Sequence, residues 1–132
     1  MSFVFQAPVR FAHCDPAGIA YFPRLFELVD AAVEEWTAAV LGVTRAVMHG
    51  ELRLGLPVVD LNADFVKPCR LGETLDIAVV AKAAGSSWVD LDAAASVAGE
   101  PRYAVRMRQV LMNLDTARAA PWPPAWRARL PA

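Results

Sequence analysis

The sequence predicts one α+β domain in which about five antiparallel strands wrap a single long helix. Three observations carry that expectation. Residues 23–40 place apolar side chains at helical spacing over roughly 27 Å at 1.5 Å per residue. Four runs between residues 56 and 114 alternate in polarity and are separated only by short turn-forming segments. One further strand-like run precedes the helix. Strands joined this closely pair antiparallel, and the helix must cover one face of their sheet.

The first run, residues 3–12, alternates weakly, and Pro8, with no N–H for a ladder, puts it at a sheet edge or bulge. In the helix, Leu25, Val29, Ala32, Val33, Trp36, Ala39 and Val40 form the buried stripe. Pro23 suits the first helical position, Glu27 and Asp30 favour the early turns, and Gly42 is the stop. Residues 44–52 read as a short helix capped by Thr44, with Gly50 and Gly55 loosening its end. In the run 56–67, Val59, Leu61, Ala63 and Phe65 take one face, and Asp60, Asn62 and Asp64 the other. A turn at 68–73 leads into 74–83, where Leu75, Ile77, Val79 and Ala81 are in phase. Gly85-Ser86-Ser87 reverses the chain into 88–98, with Val89, Leu91, Ala93, Ala95 and Val97 opposite Asp90, Asp92 and Ser96. A reversal at 98–101 gives the last run, 102–114. Consecutive runs are expected side by side. The second sheet face, also rather apolar, and the open edges predict self-association. The proline-rich tail after Asp115 is expected to pack on the surface, with a helical turn or two at 124–129.

Composition narrows the function. The 132 residues, 56% hydrophobic, make one domain, 1–132, able to bury a core. A net charge of −1 with no basic tail argues against nucleic acid. No apolar run reaches the roughly 18 residues that cross a bilayer, so no membrane partner is expected. The start, Met-Ser-Phe-Val-Phe-Gln, lacks the basic region and cleavage site of a secretion signal. Cys14 and Cys69 lack paired-ligand spacing and read as free thiols of a cytoplasmic protein.

Chemistry concentrates in residues 11–26. The turn Asp15-Pro16-Ala17-Gly18 sets a carboxylate just ahead of a helix start, whose free N–H groups carry partial positive charge. Such donors polarise a carbonyl while the carboxylate attacks it or activates water. The same Asp-Pro pair also starts turns by capping backbone N–H groups. Gly18 serves the turn through positive φ and permits close approach of a substrate. Tyr21 and Phe22 are either core or substrate walls. His13 and Cys14 are adjacent in an extended segment and point to opposite sides, so they make no nucleophile–base dyad. His13 is left to pack, or to support Asp15 beside the substrate. His13, Asp15 and His49 lack metal-ligand spacing.

The stretch Phe11-Ala12-His13-Cys14-Asp15-Pro16-Ala17-Gly18-Ile19-Ala20-Tyr21-Phe22-Pro23 closely resembles the active-site signature of the 4-hydroxybenzoyl-CoA thioesterase family. Phe65-Val66-Lys67-Pro68, followed by Leu71-Gly72-Glu73-Thr74-Leu75, is similar to that family's strand-turn-strand segment. The likeness spans residues 9 to about 114 and implies the hotdog fold. It implies a thioesterase that hydrolyses an acyl- or aroyl-CoA to a carboxylic acid and free CoA, with no cofactor or metal. Residue by residue, it puts the catalytic carboxylate at Asp15, the carbonyl-polarising N–H at Phe22 or its neighbour Tyr21, and a substrate contact at Asp30. Ser86 and Ser87 match a hairpin that lies near the nucleotide in relatives. Glu27, Glu34 and Glu35 lie on the helix where some relatives carry a catalytic glutamate, but the intact Asp-Pro-Ala-Gly turn favours the aspartate type. Arg102, Arg106, Arg108, Arg118 and Lys82 are the basic groups considered for the CoA phosphates. The resemblance also implies a homodimer or homotetramer with the site between subunits. Two other classes share the scaffold: an acyl-CoA hydratase or dehydratase, whose histidine and acid motif is not seen here, and a non-catalytic acyl-CoA binding protein.

Overall fold

The chain runs β1 (Ser2–Pro8), a 3-10 turn (Phe11–His13), α1 (Phe22–Trp36) continued by a π-helical turn (Thr37–Leu41), and a second π-helical turn (Ala46–Glu51). There follow β2 (Leu54–Gly55), β3 (Val58–Phe65), β4 (Thr74–Ala84), β5 (Trp88–Val97), β6 (Glu100–Val110), β7 (Met112–Asn113), β8 (Arg118–Ala119) and α2 (Pro124–Arg127). These elements come from a computed structural model that describes residues 2–132. The main sheet has the order β1-β4-β5-β6-β3, antiparallel throughout, and β2-β7-β8 form a small second sheet. A five-stranded antiparallel sheet over one long helix is the architecture expected from the residues, and the hotdog fold that the resemblance implied.

The register explains the core. The rows Ala7–Leu75, Phe5–Ile77–Ala95–Tyr103, Val79–Ala93–Val105 and Ala81–Leu91–Met107 lie across the strands on one sheet face. That face meets Leu25, Leu28, Val29, Ala32, Val33 and Trp36 of α1, all buried. Gly42 closes the helix in the left-handed region at φ 78°, as expected for a C-terminal stop. Thr44 caps the second turn, its hydroxyl accepting the Val47 N–H at 3.2 Å. Pro23 sits one place later than expected, at the second helical position, where its missing N–H is equally harmless.

Four expectations are corrected. The first strand ends at Pro8, and residues 11–13 form a 3-10 turn closed by the Arg10 N–H donating to His13 Nδ1 at 2.9 Å. The strand at 58–65 does not neighbour the next one in sequence; it crosses over to pair with β6, so β3 is an edge. The connection between β3 and β4 is spent on the turn that precedes α1: Ile19 bridges Arg70, and the Ala20 N–H donates to the Cys69 carbonyl at 2.8 Å. The outer sheet face is only half apolar. Ala78, Ala94 and Ala104 make one end of it, and the rows Asp60–Arg108–Asp90 and Asn62–Arg106–Asp92 make the other charged. The tail is part of the core, not a surface strap: Trp122, Trp126 and Leu130 are buried. Trp122 Nε1 donates to the Trp88 carbonyl at 3.3 Å, and Arg129 donates to the Val40 carbonyl at the end of the helix at 3.2 Å.

Candidate active site

The 15–20 turn is built by its own backbone. The Asp15 N–H donates to the Ile19 carbonyl at 2.9 Å, and the Gly18 N–H donates to the Asp15 carbonyl at 3.0 Å. Gly18 holds φ 75°, and a Cβ placed there would meet nothing within 4 Å, so the turn selects glycine for its dihedral and not for space. Asp15 Oδ1 accepts the N–H of Ala17 at 2.9 Å and of Ile19 at 3.4 Å. Its Oδ2 accepts nothing among the described residues. One oxygen therefore fixes the carboxylate and the other is unengaged, so capping the turn does not occupy the whole carboxylate.

The helix start supplies the donor. Tyr21 is removed from the pair considered: its N–H already donates to the His13 carbonyl at 2.8 Å. Pro23 has no N–H, and the Arg24 N–H turns back to the Tyr21 carbonyl at 2.8 Å. The Phe22 N–H, first of the helix, finds no acceptor among the described residues and stands at the positive end of the helix dipole. His13 supports the turn, with Nδ1 occupied by the Arg10 N–H and its carbonyl by Tyr21. Cys14 Sγ donates to the Arg10 carbonyl at 3.4 Å and does not engage the imidazole.

Beside this turn a cleft of about 300 Å³ is lined by Ala20, Phe22, Leu25, Phe65, Val66, Lys67, Pro68 and Cys69. Its walls continue as an aromatic run: Tyr21 to Phe22 at 5.6 Å, Phe22 to Phe26 at 6.1 Å, Phe26 to Phe65 at 6.1 Å, and Phe65 stacked on Tyr103 at 6.0 Å between centroids. Tyr21 and Phe22 are each 55% exposed, so neither is core, and Phe22 lines the cleft while Tyr21 lies outside it. Burial pushes the Cys69 thiol above its usual range, which keeps it protonated and unreactive at the back of the cleft. A larger depression of about 540 Å³ lies on the outer sheet face among Asp60, Lys82, Asp90, Asp92, Arg106 and Arg108, and no residue of the Asp15 turn reaches it.

The remaining candidates scatter. Asp30 lies two turns into α1, roughly 12 Å from Phe22 at 1.5 Å per residue. It is exposed and faces Arg45: burial lowers that guanidinium's pKa, and Asp30 and Glu34 oppose the shift. Ser86 and Ser87 stand at the other end of the strands, roughly 23 Å beyond the Tyr103 row, counting Ile77 to Ala84 at about 3.3 Å per residue. In one chain they are not brought to Asp15; their carbonyls hold the Trp122 and Leu111 N–H groups. Glu27 is held by Arg24 at 2.6 Å. Arg102 is buried and committed to Glu73 and Glu100, so it is no phosphate ligand. Arg108 grips Asp90 with two bonds and lies 3.8 Å over the Trp88 ring, and Arg106 is held by Asn62 and Asp64. Lys82 and Arg118 are exposed. Lys67, paired with Glu100 at 2.9 Å, is the cation that lines the cleft, and the sequence reading passed over it. Its signal was its place inside the Phe65-Val66-Lys67-Pro68 segment. His13, Asp15 and His49 do not converge: among the described residues no three His, Cys, Asp or Glu side chains lie close enough to share a metal ion. Among the same residues, no helix is long and apolar enough to cross a membrane.

Comparison with known proteins agrees with the fold. The family model described as the thioesterase-like superfamily matches residues 9–130. A 1,4-dihydroxy-2-naphthoyl-CoA hydrolase from Synechococcus elongatus is 27% identical over 119 residues, covering 90% of this chain and 88% of that protein. Two solved structures superpose closely. A 1,4-dihydroxy-2-naphthoyl-CoA thioesterase from Synechocystis has a TM-score of 0.87 at 22% identity, covering 98% of this chain and 96% of the other. A mutant 4-hydroxybenzoyl-CoA thioesterase complexed with 4-hydroxybenzoyl-CoA has a TM-score of 0.88 at 22% identity, covering 98% and 99%.

Proposed function

The chain belongs to the thioesterase-like superfamily, and from that membership we propose that it is an acyl-CoA thioesterase acting through Asp15, with an aromatic acyl group as the best fit to its cleft. The observation that carries the reading is the division of labour at Asp15: Oδ1 is anchored by two N–H groups while Oδ2 is free, and the Phe22 N–H that opens the adjoining helix is also free.

The chemistry follows from these groups. The thioester oxygen takes a hydrogen bond from the Phe22 N–H, where the helix dipole favours the negative charge that develops. Losing one such donor costs on the order of 100-fold or more in turnover. Asp15 Oδ2 then serves in one of two ways. It attacks the carbonyl carbon, giving a mixed anhydride that water hydrolyses, or it takes the proton of an attacking water. In both routes the C–S bond breaks, CoA leaves as a thiolate that takes up a proton, and the acid is the second product. An aromatic acyl group is supported by Phe22 and Phe65 in the cleft walls and by the aroyl-CoA substrates in the names of the relatives.

The reading includes a homodimer, or a pair of such dimers, with the site completed at the subunit boundary. Edge strand β3 leaves one side of its backbone unpaired and exposes Val59, Leu61 and Phe65; Phe22 beside it is half exposed. A second copy along this edge would pair the backbone and roof the cleft. Two free thiols, Cys14 and Cys69, suit a reducing cytoplasm. The test is thiol release from a panel of aliphatic and aroyl-CoAs, with the mass in solution measured by light scattering. The reading expects release that is fastest with aroyl-CoAs, from a dimer or tetramer. Binding without release would point to a non-catalytic acyl-CoA protein, and hydration with the thioester intact would point to a hydratase.

A further inference from the structure

We propose that the ion pair between buried Arg102 and half-buried Glu73 is a positioning device for the reaction: it holds the Asp15 carboxylate in place through the backbone of Arg70 and Ile19. The inference rests on the reading of Asp15 as the reacting group.

Arg102 lies on β6, and its side chain is only 11% exposed. Its guanidinium donates to Glu73 Oε1 at 2.6 Å and Oε2 at 2.7 Å, to the Pro68 carbonyl at 2.9 Å, and to Glu100 Oε1 at 3.1 Å. Its own carbonyl accepts the N–H groups of Val66 and Lys67. A single sheet residue thus ties down both ends of the 66–73 connection. From there the path to Asp15 is short. Glu73 Oε1, already bonded to Arg102, also accepts the Arg70 N–H at 2.6 Å. Arg70 pairs with Ile19, and the Leu71 N–H donates to the Gly18 carbonyl at 3.0 Å. Ile19 in turn holds both the backbone N–H and the Oδ1 of Asp15.

A purely stabilising role does not account for this arrangement. Taking the Arg102 guanidinium out of water offsets much of its attraction to the half-buried Glu73 carboxylate, so net stability is a weak reason for the pair. What the guanidinium fork supplies is direction: two parallel bonds fix the carboxylate plane, which a single ammonium cannot do. Displacing a reacting group by about 1 Å can cost on the order of 100-fold in rate, so a rigid strap behind the turn has a kinetic consequence.

The test compares wild type with Arg102→Lys, which keeps the charge but loses the fork, and with Glu73→Gln, which keeps the shape but loses the charge. Two readouts are taken: kcat and KM on the best acyl-CoA of the panel, and amide hydrogen exchange at Ile19, Ala20 and Leu71. The proposal expects kcat to fall by on the order of 10- to 100-fold with KM within about threefold. Exchange at the three amides should quicken while β4 and β5 stay protected. Asp115→Asn, which breaks the Arg53–Asp115 pair at the far end of the sheet, should leave kcat and those amides unchanged. If Arg102→Lys does not fold, Glu73→Gln at the loop surface carries the comparison. Wild-type kcat in the folded variants, or quickened exchange with kcat unaltered, would overturn the proposal. If wild type releases no thiol from any acyl-CoA, the reading of Asp15 falls. Unchanged exchange at Ile19 and Leu71 would then overturn the strap separately.

Discussion

Removing the hydroxyl of Tyr103 tests how the helix is locked to the sheet beside the site. The ring is 2% exposed, stacks on Phe65, and its O–H donates to the Leu25 carbonyl at 3.0 Å, one turn from Phe22. Tyr103→Phe keeps the ring and the stack. The Leu25 carbonyl retains its helical partner, so no buried acceptor is orphaned. The loss is that of one ordinary hydrogen bond, about 0.5–1.5 kcal/mol. For 132 residues at about 2.1 cal/mol/K each, this lowers Tm by about 2–5 °C. The pH dependence makes the test sharper. Burial pushes the Tyr103 phenol well above its usual range. Above about pH 10 the unfolded chain loses this proton while the folded chain keeps it, so the unfolded state binds fewer protons and stability falls as pH rises. One such group gives a slope of about 1.4 kcal/mol per pH unit. The raised thiol of Cys69 adds an alkaline loss of its own, but it is present in both proteins and cancels in the comparison. Urea unfolding from pH 7 to pH 11 should show wild type more stable at neutral pH and its advantage vanishing above pH 10. An advantage that persists undiminished at pH 11, or no difference at pH 7, would refute the reasoning.

At the acid end, the guanidinium of Arg102 holds the Glu73 carboxyl below its usual range, Arg108 does so for Asp90, and Lys67, then Arg102, for Glu100. The stability these pairs give is present above the ordinary carboxylate value of about 4 and is lost as pH falls through the lowered folded values. Urea midpoints should therefore hold from pH 7 to pH 5 and drop below pH 4, less steeply in Glu73→Gln; a midpoint that rose on acidification would contradict this. At the opposite end of the sheet, a methyl on Gly85 would overlap Trp88 Nε1 and come within 2.9 Å of its Cδ1. Gly85→Ala should displace the indole from Arg108, change the tryptophan emission and cost about 1–3 kcal/mol; an unchanged spectrum and Tm would show that the ring does not pack there.

The parts of the fold that were legible are those governed by local periodicity. Leu75, Ile77, Val79 and Ala81 alternate, and all four are buried. Leu25, Val29, Ala32, Val33 and Trp36 repeat at helical spacing and face the sheet. What escaped was non-local. Nothing in the run 56–67 says that its partner is β6, because a pairing between segments some forty residues apart leaves no local period, and the 66–73 connection meets the 15–20 turn instead of making a hairpin. Trp122 and Trp126 lie in a proline-rich stretch with no period, so their burial depends on a gap that only the assembled sheet creates. The site divided the same way. Asp15 and Phe22 sit in one contiguous stretch and could be read together. Tyr21 could not be excluded until its N–H was seen bonded to His13, and Arg102 looked like any exposed strand arginine until Glu73 met it from 29 residues away.

The most direct measurement is thiol release by Asp15→Asn. Asparagine keeps the side-chain oxygen that accepts the Ala17 and Ile19 N–H groups, so the turn and Tm should be preserved while the charge and the basic oxygen are gone. The account predicts that kcat on the best aroyl-CoA falls by on the order of 100- to 10,000-fold with substrate still bound. A folded Asp15→Asn that hydrolyses the thioester at the wild-type rate would reduce Asp15 to a turn-forming residue and contradict it.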